Sequence, residues 1–92
     1  MLDQVKKAFK GKEPGMGGYG SEFSFSEHKD GVLLELEADW APRCSTPRAL
    51  ITNVEGENIT FQFFAYGEPD GDERTRDVEG LCNWLAEQAS EG

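Results

Sequence analysis

Two cysteines and one histidine are the side chains best suited to nucleophilic chemistry in this 92-residue chain. Cys44 lies between Pro42 and Pro47, and His28 stands just before Lys29-Asp30-Gly31. A thiol becomes a useful nucleophile beside a base, a cation or a helix N-terminus that lowers its pKa. Neither Cys44 nor His28 lies in a local context that lowers a thiol pKa predictably. The pair is therefore kept only as a rival to the reading in which His28 is an exposed turn residue. Cys82 falls on an apolar helical stripe and reads as a small core residue.

Oxygen ligands are more plentiful. Glu68, Asp70, Asp72 and Glu73 crowd one short segment. An EF-hand loop needs its glycine after the third acidic position and a bidentate glutamate six residues later. Here Gly71 falls between Asp70 and Asp72, so the pattern fails. Two cysteines and one histidine also leave a structural zinc site short of a ligand. No metal and no cofactor is expected, and the acidic run reads as a solvated loop. Gly15-Met16-Gly17-Gly18-Tyr19-Gly20 spells the G-x-G-x-x-G of dinucleotide sites. That motif works between a strand and a following helix. A helix candidate precedes it here and a strand candidate follows, so it reads as a glycine-rich loop.

Charge separates the remaining partner classes. The net charge is −9, and its distribution is uneven. Lys6, Lys7, Lys10 and Lys12 outweigh Asp3 and Glu13 at the N-terminus, whereas five basic residues face sixteen acidic ones over residues 14–92. Such a field repels phosphate backbones and attracts basic surfaces. Sheet aromatics such as Phe64 and Tyr66 can stack bases, but only beside a positive groove, which this chain lacks. Direct nucleic-acid binding is thus disfavoured. Charge of this kind also serves plain solubility or salt adaptation. No apolar run approaches the roughly 18 residues of a membrane span, and the charged N-terminus lacks the apolar core of a signal peptide. These points lead to the expectation of a cytoplasmic protein with free thiols.

The elements that must position these residues are legible from periodicity. Leu2, Val5 and Phe9 recur at helical spacing, so residues 2–10 are expected to form a short amphipathic helix docked on the acidic remainder. Residues 11–20 form the glycine-rich loop. Phe23 and Phe25 alternate with polar residues. Val32, Leu34, Leu36 and Ala38 alternate with Leu33, Glu35 and Glu37, and Asp30-Gly31 turns the first run into the second. Residues 39–48 carry two prolines and break the pattern. Ala49 to Val54 resumes as a strand whose inward face is ambiguous. Residues 58–67 concentrate the apolar volume, with Ile59, Phe61 and Phe63 assigned to the buried face and Phe64 and Tyr66 to the outer one. Residues 67–76 read as the acidic loop. Val78, Leu81, Cys82, Leu85 and Ala89 then mark a helix over 77–89, with Asp77 as its N-cap, or Thr75 if the helix starts earlier, and Trp84 at the edge of its stripe. Gly80 would let this helix sit close to the sheet.

The sum is one small α+β domain, a four-stranded antiparallel meander with N- and C-terminal helices in the order α-β-β-β-β-α over a sheet spanning 21–66. In length, sign of charge and α/β mixture the chain resembles small acidic inhibitors, including nucleic-acid mimics and phage anti-defence proteins such as anti-CRISPRs. The likeness rests on no shared motif. It implies a non-enzymatic protein that occludes a basic surface of a protein partner, such as one that binds nucleic acid. The expected contact set is Glu35, Glu37, Glu68, Asp70, Asp72 and Glu73, with Phe64, Tyr66 and Trp40 as aromatic anchors. The alternative is a homodimeric chaperone or accessory subunit that pairs through the outer sheet face. A small enzyme built on Cys44 and His28 is the third reading.

Overall fold

The computed structural model describes residues 2–13, 15, 18–39, 47–65 and 67–91. Helix α1 (Leu2–Phe9) leads into β1 (Ser21–His28), β2 (Gly31–Ala38), β3 (Arg48–Glu55), β4 (Asn58–Ala65) and β5 (Glu68–Arg76), and α2 (Val78–Glu91) closes the chain. The strands follow one another as an antiparallel sheet in sequence order. The meander with terminal helices is as the sequence suggests, but the sheet has five strands and not four. The segment expected as an acidic loop over 67–76 is in fact β5.

The reason for that correction is physical. Glu-Pro-Asp-Gly-Asp-Glu-Arg-Thr-Arg contains no apolar residue, and every position of β5 is exposed. Period-two hydrophobicity arises only where one face of a strand is buried. An edge strand held by backbone pairing to β4, and by no buried side chain of its own, carries no such signal. Its proline, its charges and a bulge also blunt it against further strand addition.

Both helices pack on one face of the sheet. Val5 and Phe9 of α1 and Leu81, Cys82 and Leu85 of α2 share a single core with Leu34, Leu36, Ile51, Ile59 and Phe61. The ring of Phe9 lies 5.5 Å from Phe23 and 6.2 Å from Phe25, so α1 docks through aromatic contact rather than onto acidic surface. Ile59, Phe61 and Phe63 do share the helix-covered side, where Trp84 packs against both rings, 5.1 Å from Phe61 and 5.7 Å from Phe63.

The ambiguity of β3 has a geometric cause. Ala49 and Ile51 point into the core, a bulge then passes Thr52, and Val54 rejoins the same face. One extra residue flips the parity of everything after it. Leu50 therefore faces the other side.

That other side is curled inward. In a flat sheet about 14 Å would separate β1 from β4. Yet His28 of β1 and Phe64 of β4 meet with ring centroids 5.6 Å apart. The sheet must bend around its helix-free face to bring them together. Leu50 there is fully buried and Phe64 is only 8% exposed. Phe64 does leave the helix side, as its spacing requires. It is not the exposed anchor expected, because sheet curvature hides it, and α1 lies on the opposite face.

Asp77 caps α2: the Gly80 amide donates to its Oδ1 at 2.7 Å. A Cβ on Gly80 would stand 3.0 Å from that oxygen and 3.2 Å from Cβ of Arg76. Glycine here clears the cap and the end of β5. Asp77→Ala should cost about 1 kcal/mol by urea denaturation, with Asp77→Ser largely restoring it. An unchanged midpoint for the alanine variant would show that the cap contributes nothing.

Candidate functional site

The residues singled out for partner contact do not converge on one surface. Glu35 and Glu37 lie on the helix-free face of β2, whereas Glu68, Asp70, Asp72 and Glu73 lie on β5, three strands and about 14 Å of sheet away. Trp40, Tyr66 and Cys44 lie outside the described residues.

The β2 group is partly compensated. The Arg48 guanidinium donates to Glu35 Oε2 at 2.6 Å across the β2–β3 pair. Glu37, by contrast, stands directly opposite Glu22 on β1. Like charges facing one another across strands repel. With Gly20, Ser21 and Asp39 these two carboxylates line a shallow cavity of about 400 Å³. The result is an exposed patch of three carboxylates at the open end of the first hairpin.

The β5 group sits on the opposite edge of the sheet. Phe61 pairs with Arg74 and Phe63 with Asp70, so one residue of β4 faces Gly71, Asp72 and Glu73 of β5. This excess bows β5 outward. Gly71, at φ +84°, takes the left-handed conformation the bulge needs, and Gln62 Nε2 donates to its carbonyl at 3.0 Å. Behind the bulge lies a hollow of about 210 Å³ between β5 and α2, lined by Phe63, Asp70, Asp72, Arg74, Trp84 and Gln88. Trp84 was legible as an aromatic at the edge of a helical stripe. Phe63 and Arg74 joined it only through strand pairing that no local pattern announces.

His28 has a structural task. Its Nδ1 accepts the Asp30 amide at 3.1 Å within the first hairpin turn, and its ring covers Phe64. Cys82 is buried beside α1, where desolvation first, and then the carboxylate of Glu13, push its thiol up to about 11; Lys12 opposes them, and Glu79 adds the smallest upward push. It is a neutral wall at neutral pH. With Ala8 and Val78 it forms the apolar part of a cavity of about 520 Å³ bordered by Lys12, Glu57, Asp77 and Glu79.

Among the described residues no three His, Cys, Asp or Glu side chains are grouped to hold a metal ion, and no helix is long and apolar enough to cross a membrane. Architecture and site together define a two-layer α+β domain with an acidic, hydrogen-bonded sheet edge. No family model, curated protein or solved structure matches the chain.

Proposed function

We propose that this chain is a non-enzymatic binding protein of the cytoplasm that occludes a basic surface of a protein partner, in the manner of acidic inhibitors and nucleic-acid mimics. The observation that carries the reading is the state of residues 68–76. Four carboxylates, Glu68, Asp70, Asp72 and Glu73, stand on a fully exposed strand paired to the sheet. A paired backbone holds charge at fixed spacing, so less ordering entropy is lost on association than a loose acidic loop would lose. Complementary potential also speeds encounter and rejects acidic competitors. The carboxylates of Glu22, Glu37 and Asp39 on the far edge add to the same long-range field.

The test is capture of host proteins at low and moderate salt by the native chain and by Asp70→Lys/Asp72→Lys/Glu73→Lys. A partner with a basic patch, held at low salt and lost by the triple variant, is the expected result. Binding indifferent to both salt and charge reversal would overturn the proposal. The rival self-associating subunit is less well supported, because Leu50 and Phe64 on the helix-free face are already buried within one chain. Light scattering at micromolar concentration that returned twice 10.2 kDa would favour that rival.

A further inference from the structure

The hollow between β5 and α2 combines features that recur where proteins hold organic cations. Trp84 and Gln88 lie one helical turn apart and so face the same way from α2. The indole is half-buried, with the rings of Phe61 and Phe63 packed against it at 5.1 and 5.7 Å. An aromatic fixed in this way presents a rigid π surface. Opposite it the bulge holds Asp70 and Asp72 on the rim of the same hollow. A cation is drawn to the negative face of an aromatic ring, and carboxylates beside the ring add Coulomb attraction.

The chain already supplies a cation of its own. The guanidinium carbon of Arg74 lies 5.9 Å from the Trp84 ring centroid. Asp70 and Asp72 line the same hollow, so its rim remains negative with Arg74 in place. Arg74 is exposed, and its neighbour Thr75 is tied across the strands to the Thr60 hydroxyl at 3.1 Å. The long Arg74 side chain can therefore swing away while β5 stays paired.

We propose that this hollow is the anchoring site for an arginine side chain of the basic partner, which stacks on Trp84, pairs with Asp70 and Asp72, and displaces Arg74. The assignment rests on the acidic-binding reading above and names its central contact. Arginine suits the site better than lysine, because a planar guanidinium lies flat on an indole while offering its N–H groups edgewise to carboxylates. Trp and Arg are also, with Tyr, the residue types enriched at interface hot spots. Arg74 in this scheme is an internal competitor, so its removal strengthens binding.

The experiment is an NMR titration of the full chain with a short blocked peptide containing two arginines, and with the same peptide carrying lysines. The Trp84 indole resonance is the readout, told apart from that of Trp40 in a Trp40→Phe variant. A saturable shift at Trp84 is expected, with affinity falling roughly tenfold in Asp70→Asn/Asp72→Asn and rising about threefold in Arg74→Ala. The lysine peptide is expected to bind more weakly. Thermal melts of these surface variants, superimposable on the native chain, establish that the fold is kept. Equal binding of both peptides, or weakening by Arg74→Ala, overturns the site. Peptide binding that moves resonances at Glu22 and Glu37 but not at Trp84 refutes this hollow while leaving the acidic-binding reading intact. The absence of peptide binding anywhere on the surface counts against both.

Discussion

Phe61→Ala should remove a large share of the stability of this domain. Phe61 is fully buried at the middle of β4, between Ile51 on β3 and Arg74 on β5, with its ring against Trp84 of α2. It touches the sheet and the helical layer at once, so surrounding atoms cannot close in from either side without breaking strand pairing. Truncations of this kind cost about 3–5 kcal/mol, from lost transfer energy plus the cavity left behind. A chain of 92 residues has about 5–14 kcal/mol in total. The variant should therefore unfold at a much lower urea concentration with an unchanged slope, which marks altered stability rather than an altered unfolded state. Phe61→Leu keeps most of the volume and should cost about 1.5 kcal/mol. A loss below about 1 kcal/mol for the alanine variant would mean that the ring does not join the two layers.

Gly31→Ala should be nearly as damaging, although it adds a single methyl group. A Cβ at Gly31 would overlap the Ile51 carbonyl oxygen, with the Ile51 carbonyl carbon at 3.0 Å and Cα of Thr52 at 3.3 Å. All three obstacles are backbone, so no rotamer change relieves them. The chains are this close because β3 bulges at Thr52, next to the place where β2 begins pairing through Val32 and Ile51. Room for the methyl requires β2 and β3 to part at that end, at about 3 kcal/mol. For a domain of this size the melting temperature should drop by roughly 12–24 °C. Gly20→Ala is the matched control, since its Cβ meets nothing within 4 Å, and it should melt with the native chain. A Gly31→Ala melt within a few degrees of native would show that β2 and β3 can part at this end at little cost.

Both variants probe features that the sequence displayed only in part. Alternation placed Ile59, Phe61 and Phe63 on one side of β4, and Val32, Leu34 and Leu36 on one side of β2, and the structure keeps both sets facing the helices. Asp30-Gly31 announced a hairpin, but as a turn signal. The need for glycine at residue 31 comes from β3, twenty residues away, and no local pattern contains it. Asp77 was recognisable as a cap because capping is a contact within one turn of chain.

Composition and periodicity alone determined the α+β class, the antiparallel order, the helix-facing core and the acidic sign of the surface, because each follows from local chain geometry or a simple sum over side chains. Tertiary structure alone decided three things. A run with no apolar residue became β5, because β4 left an unpaired row of backbone groups for it to satisfy. Phe64, outward by its spacing, was enclosed, since curvature is a property of the whole sheet. Trp84, Phe63 and Arg74 came together across two strands and a helix, and a bulge that shifts register by two residues cannot be read from either strand alone.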